Sequence, residues 1–333
     1  MTIALIDADW IVYSCAFAGE TRNVRVLHKS SGKEKMFDNV TSFWGRKKNE
    51  ISGWLGEQNE KRIVKGLKPF TKEDFDVEVV RTAEPVENVL HSAKMTIQRV
   101  LNETGCNEYM GWIGKGESFR KNISTIKEYK AGRPEGPLLK QEVTEYLIKH
   151  HGFKYESKYE VDDRIVIEHY KDRKNSVIVA VDKDALGTGS RVYNPNKKEM
   201  GIVDSNCFGE LYLNEKKEVK GYGRIWLMHQ WIWGDPVDTY SASCASDMKW
   251  GAMSAYNALK DCQNDKEAFE SALNVYKTLY PEPKEIIGWR GDSFIIDYKY
   301  VANEIWQLAK MKRWEGDDVL ATDVWKKFGM LEG

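Results

Sequence analysis

The chain has 333 residues, of which 50 are basic and 51 acidic, for a net charge of −1. That length suits one large domain or two ordinary ones, and a composition 41% hydrophobic and 30% charged excludes a membrane-spanning bundle. The balance of charge excludes a uniformly basic nucleic-acid binder, so any such binding must come from a local patch.

Residues 3–6 (Ile-Ala-Leu-Ile) form a short apolar run of β-forming type ending at Asp7. Trp10, Tyr13, Ser14 and Phe17 follow at helical spacing, which predicts strand, turn and helix. The N-terminus carries neither a basic region nor a long apolar stretch, so a cytosolic chain without a signal peptide is expected. Residues 22–85 read as an inserted lobe. They hold a hairpin (24–28 and 36–37 around Ser31-Gly32) and a charged stretch with Trp44 and Trp54. A helix is expected over 86–101 and a weaker strand over 109–113. Residues 177–181 form a continuous apolar strand of the kind buried on both faces of a parallel sheet, ending at Asp182. After about residue 231 the pattern turns helical, as at 252–260 and 268–279. This order predicts an α/β fold with a mainly parallel central sheet flanked by helices over residues 1–230, and a helical C-terminal part over 231–333. Five cysteines scattered singly (Cys15, Cys106, Cys207, Cys244, Cys262) argue against a disulfide framework and a structural zinc site. Most of the twelve tryptophans are read as packing residues.

The carboxylates carry the functional signal. Asp7 and Asp182 each end a strand, where ligand sites of open α/β sheets lie, and Asp9 and Asp184 follow two residues on. Glu160-Val161-Asp162-Asp163 opens an amphipathic helix, and Gly234-Asp235-Pro236-Val237-Asp238 places two acids at a turn. Each group alone has a plain structural explanation: a solvated turn, acids favoured at a helix N-terminus, an Asp-Pro turn, an N-cap. Together, at strand and helix ends, they describe a site for hard divalent cations, because so many clustered carboxylates would otherwise protonate or repel. Two such ions about 4 Å apart clamp the attacking and leaving oxygens of a phosphodiester.

A second constellation is basic. Between residues 115 and 140 seven cations (Lys115, Arg120, Lys121, Lys127, Lys130, Arg133, Lys140) face three acids (Glu117, Glu128, Glu135), with Phe119 and Tyr129 interleaved. That pattern suits phosphate contact with base stacking, or a solvated helix face. Gly114-Lys115-Gly116-Glu117-Ser118 lacks the spacing of a nucleotide-binding P-loop.

In their order, Leu5-Ile6-Asp7, Ser118-Phe119-Arg120, Glu128-Tyr129-Lys130-Ala131-Gly132-Arg133, Glu160–Asp163, Asp182–Asp184 and Gly234–Asp238 resemble the flap-endonuclease superfamily, most nearly the 5′→3′ exonucleases of tailed phages. The resemblance implies a PIN-like 5′-nuclease fold and a metal-dependent 5′→3′ exonuclease or flap endonuclease of phage-type DNA replication or degradation. It implies two Mg2+ or Mn2+ ions, one on Asp7, Glu160, Asp162 and Asp163, the other on Asp182, Asp184, Asp235 and Asp238. Arg120, Lys130 and Arg133 would line a basic helical gateway for DNA, with Lys130 and Arg120 catalytic, Tyr129 stacking or positioning, and Lys249 on a phosphate. The implied partner is DNA with a free 5′ end, a nick or a 5′ flap, with RNA/DNA hybrid as a further substrate, bound by a monomer in the host cytoplasm.

Two departures stand out. Ile113 occupies a position where the family usually has an aspartate, with Asp9 or Glu117 as candidates to compensate. Residues 240–251 have lost most glycines of the family's helix–hairpin–helix, leaving a degenerate duplex grip. These departures motivate the alternatives, a non-catalytic or weakened DNA-binding module of the same fold, or a related ribonuclease. The reading stands or falls on whether Asp7, Asp162, Asp182 and Asp235 meet in space.

Overall fold

The computed structural model describes residues 2–46, 51–132 and 135–332, so Arg133 lies outside the described residues. In chain order β1 (Ile3–Asp7) and α1 (Asp9–Ala18) precede β2 (Glu20–His28), β3 (Lys33–Phe37), α2 (Val40–Trp44), α3 (Gly53–Val64) and β4 (Phe75–Ala83). Next come α4 (Val86–Thr104), β5 (Glu108–Gly114), α5 (Arg120–Ile123), α6 (Lys140–His151), β6 (Lys154–Glu156), α7 (Val161–Lys171) and β7 (Ser176–Val179). Then follow β8 (Arg191–Tyr193), β9 (Ile202–Asp204), β10 (Glu210–Leu213), β11 (Val219–Tyr222), α8 (Arg224–Trp233), β12 (Gly234–Asp235) and β13 (Tyr240–Ser241). The chain ends with α9 (Ala252–Leu259), α10 (Asp265–Leu279), β14 (Lys284–Ile287), β15 (Ser293–Ile296), α11 (Tyr298–Ala309) and α12 (Ala321–Lys327).

Two units partition the chain. One comprises Met1–Ile11, Lys94–Glu135 and Leu147–Gly333; the other comprises Val12–Ala93 and Gly136–Tyr146. In the first, six strands form a sheet in the order β6-β5-β1-β7-β8-β9, parallel except for β9. All four residues of β7 are buried, as a strand covered on both faces requires. The strand order turns back at β1 and β7. That is the switch point where open α/β sheets hold ligands beyond their carboxyl ends, and Asp7 and Asp182 sit there. β7 ends at Val179, so Asp182 lies three residues beyond it, capping a 3₁₀ turn, Lys183–Gly187.

Helix α7 packs Val161, Ile165 and Val166 against Leu5, Trp112 and Ile178 of the sheet. Its apolar stripe fixes which way its acidic first turn points. A second core in the same unit centres on Trp231, with Phe269, Tyr276, Trp306 and Trp325 around it, and it takes in Tyr129 and Tyr240. This is an α/β architecture, a mainly parallel sheet flanked by helices with a helical C-terminal part.

The other unit contains a three-stranded antiparallel sheet, β3-β2-β4, whose Val24, Val26 and Phe75 pack on Phe43 and Leu55 of α2 and α3. The expected hairpin is its β2–β3 half, while β4 joins from some 50 residues downstream. No helix among the described residues is long and apolar enough to cross a membrane.

Candidate functional site

Three aspartates are held by the same local device. The side chains of Asp7, Asp182 and Asp235 each accept the backbone N–H two residues on, from Asp9, Asp184 and Val237, at 2.8–2.9 Å. Such Asx turns fix the side chain with one carboxylate oxygen and leave the second for another partner. Gly234, at φ +107, lets the chain enter the β12–β13 hairpin beside Ser241, where a Cβ would lie 2.4 Å from the Ser241 Cα. That approach places Asp235 in the cluster.

The first turn of α7 supplies the rest, with Glu160 as N-cap residue. Asp162 feels Asp7, Asp182 and Glu160, and burial together with that repulsion raises its carboxyl well above the usual range. Its Oδ1 is buried and has no hydrogen-bond partner. Asp7 is pushed up to about 8, first by burial, then by Asp9 and Asp182, against the pull of Lys130. Asp184 is raised by burial and by Asp182 and Asp235. Asp162 thus lies within electrostatic reach of Asp7 and Asp182, and Asp184 within reach of Asp182 and Asp235.

Cations of the chain itself are threaded through this cluster. Lys130 Nζ donates to Glu160 Oε1 at 2.6 Å and lies 3.8 Å from Asp238 Oδ2. Lys130 holds a left-handed backbone, φ +57, pinned by its N–H bond to the Asp238 carbonyl at 3.0 Å. For a residue with a side chain that conformation is strained. Burial alone would raise Glu160, but Arg120 and Lys130 outweigh it and hold the carboxyl at about 2. The Tyr129 hydroxyl donates to Asp238 Oδ2 at 3.0 Å and lies 3.2 Å from Glu160 Oε2. Lys183 Nζ donates to Asp235 Oδ2 at 2.7 Å, and the Gln230 amide donates to Asp184 Oδ1.

Several expected site residues sit elsewhere than their motifs suggested. Arg120 is only 2% exposed, and all five of its N–H groups are used. They bond the Leu308 and Lys310 carbonyls, Glu160, and both oxygens of Asp163. With no donor left over, Arg120 is not placed to contact DNA. Asp163 is equally spent, on Arg120 and the Lys312 N–H at 2.8 Å. The Tyr129 ring is buried against Tyr240 at a 25° interplanar angle, so it offers no face for base stacking. In the stretch expected to form a helical gateway, only α5 is helical among the described residues before α6. Lys249 is exposed on the loop joining β13 to α9. Ile113 is buried in the core. Of its candidate substitutes, Glu117 is 80% exposed and pairs with Lys121 at 3.2 Å, whereas Asp9 accepts the Gly114 N–H at 3.1 Å and acts on Asp7.

Sequence reasoning gave no role to Lys183, Gln230 or Tyr240. Lys183 had a signal in its place between two aspartates. Gln230 had none, lying 46 positions from its partner on a helix that otherwise reads as core.

Among the described residues, no group of three or more His, Cys, Asp and Glu side chains closes around one point as metal ligands would. Lys183, Lys130, Arg120 and Gln230 hold oxygens of Asp235, Glu160, Asp163 and Asp184 instead. The donor set nevertheless fits a hard cation in its chemistry. It is built of mutually repelling carboxylates, and the buried Asp162 Oδ1 lacks any donor.

No protein-family model matches the chain, and no curated protein does. Among solved structures it is similar to the crystal structure of the T5 D15 protein co-crystallised with metal ions. Identity is 17%, covering 72% of this chain and 90% of that one, with a TM-score of 0.39.

Proposed function

We propose that the chain is a metal-dependent 5′→3′ exonuclease and flap endonuclease that hydrolyses DNA phosphodiester bonds, RNA primers included, in phage-type replication or degradation. The observation that carries this reading is Asp162 Oδ1, buried without a donor among Asp7, Asp182 and Glu160 and beside Lys130. A buried, unpaired carboxylate is costly, and a divalent cation offsets that cost as a proton would.

On this reading Asp7, Asp162 and Glu160, helped by Asp9, hold one Mg2+ or Mn2+, and Asp182, Asp184, Asp235 and Asp238 hold a second. When bound, the pair supplies a water acidified enough to attack phosphorus and neutralises charge on the phosphate. The chain's residues do the remainder. Lys130 keeps its ammonium at the edge of the cluster, where it donates to a phosphate oxygen as negative charge develops. Tyr129 ties Asp238 to Glu160, and Asp163 acts through Arg120 by anchoring the start of α7. Lys249 meets a duplex phosphate. The protein acts as a cytoplasmic monomer on free 5′ ends, nicks and flaps.

The second reading, a non-catalytic DNA-binding module, is favoured by one observation: Arg120 and Tyr129, both expected at the DNA, are buried. Duplex, nicked and flap DNA labelled at either end, with and without magnesium or manganese, decides between them. The nuclease gives products released from the 5′ end, stopped by chelator and by Asp162→Asn, which still binds DNA. Binding without cleavage under every condition establishes the module instead.

A further inference from the structure

Lys183 is a cation placed inside the half of the cluster assigned above to the second ion, paired with Asp235. Its main chain is fixed, since its carbonyl accepts the Trp226 indole N–H at 3.0 Å. Its ammonium bonds Asp235 Oδ2 at 2.7 Å, while Asp235 Oδ1 is taken by the Val237 N–H at 2.8 Å. Both oxygens of this buried carboxylate are thus occupied by protein donors, and only one of the two donors is able to leave. The Lys183 side chain is 39% exposed, against 10% for Asp235. Four flexible methylenes and an open side toward solvent give the ammonium a way out that a backbone N–H lacks. Lys130 is less exposed, at 18%, and its hydrogen bond goes to Glu160 in the other half, with Asp238 3.8 Å away.

We propose that Lys183 is a built-in counter-ion for the second cation position: it holds Asp235 while no ion is bound and must be displaced for one to enter. The carboxylates stay compensated without metal, and an ion at the second position must first break the Lys183–Asp235 pair, so it binds there more weakly than it would without the lysine. Release of the ammonium also frees a positive charge at the rim of the site, where a phosphate arrives. This inference rests on the two-ion reading above, and the test separates the two.

The test is calorimetric titration of the metal-free protein with Ca2+ or Mn2+ in the absence of DNA, so that nothing is turned over. Wild type shows two binding events. Removing the competing charge in Lys183→Met tightens one of the two events by roughly tenfold and leaves the other within about twofold, on the scale of one ion pair at a partly exposed site. Lys183→Arg behaves as wild type. Lys198→Met, which removes a lysine paired with Glu103 at 2.8 Å outside the cluster, changes neither event. In metal-free buffer Lys183→Met also melts earlier than wild type, and Ca2+ restores more than the difference. If the Met variant does not fold, Lys183→Gln takes its place. Two events in wild type with affinities unchanged or weakened in the Met and Gln variants overturn the role of Lys183 while leaving the two-ion reading intact. No ion bound by wild type overturns both.

Discussion

Asp162 and Asp163 are neighbours in sequence on one helical turn, and the fold gives them opposite surroundings. Successive helical residues point about 100° apart. One step along α7 therefore separates an oxygen with no donor from a carboxylate held on both oxygens by Arg120. The acidic motif is divided between two physical tasks. Asp163, with Arg120, Lys312 and the Leu308 and Lys310 carbonyls, ties the start of α7 to the end of α11 and the chain just after it. Asp162 is left under electrostatic pressure that only a proton or a cation relieves. A motif search scores the two alike; burial and bonding do not.

The largest expected effect breaks that division on the side of chemistry. Asp162→Asn, which keeps shape and removes charge, should lower cleavage by roughly 10³-fold, the scale on which electrostatic machinery at a reacting phosphate acts. Its melting temperature without metal should equal or exceed that of wild type, because the substitution relieves repulsion from Asp7 and Asp182. Steady-state cleavage and thermal denaturation of one preparation check both halves. A loss of stability would mean that Asp162 is structural after all.

The reverse pattern is expected at the neighbouring pair. Arg120→Gln strands a fully buried Asp163 and should cost about 3–5 kcal/mol, the penalty for orphaning one member of a buried ion pair. Asp163→Asn should cost somewhat less, since its amide still accepts from Lys312. Denaturant unfolding measures each. Asp163→Asn that retained wild-type stability yet lost cation binding would return this residue to the ligand set.

How far the sequence led follows the same line. Asp7 and Asp182 were legible because strand ends are local features and an apolar run announces them. Glu160, Asp162, Asp163, Asp235 and Asp238 were legible from short motifs. The fate of Arg120 was not, because its partners Leu308 and Lys310 lie about 190 positions away in a region where the motifs gave no hint of contact. Tyr129 misled for a similar reason. An aromatic among lysines matches a stacking platform, and only the packing of Tyr240 and the Trp231 core against it removes the ring from solvent. The β2–β4 pairing was hidden because nothing local marks a strand partner that returns after two helices.

A smaller effect is written in pH. A carboxyl whose folded-state value is raised binds its proton more tightly in the folded chain than in the unfolded one. Its contribution to stability is complete below about 4 and is lost as pH rises through the folded value. For Asp7 that value is about 8. Metal-free protein should therefore lose melting temperature between pH 5 and pH 9, and added Ca2+ should raise it more at the alkaline end, where no proton has to be expelled. On the acid side the buried His169 and His229, both held down at about 4 by desolvation, work in the opposite sense: their contribution is present above 6.5 and fades as pH falls toward 4. A melting profile in chelator, compared between wild type and Asp7→Asn, isolates the alkaline limb, which should flatten in the variant.

The smallest expected effect concerns the acid that this chain lacks. Ile113 lies in the core near the end of β5 and brings no carboxylate to the cluster. The Asp9 carboxylate instead comes to the same strand end, accepting the Gly114 N–H, and packs closely on Gly114, where a Cβ would sit 3.0 Å from Asp9 Oδ2. Asp9 also pushes on Asp7 more strongly than Asp182 does, so its charge is already felt where the first cation is proposed to bind. Asp9→Asn should weaken the cation-binding event that Lys183→Met leaves unchanged by about three- to tenfold, the loss of one carboxylate acting at some distance, with no more than a small change in melting temperature. Glu117→Gln, removing an exposed charge committed to Lys121, should leave both binding events unchanged. If the two variants titrate alike, Asp9 is no substitute for the missing aspartate, and the first position is held by Asp7, Asp162 and Glu160 with solvent in its place.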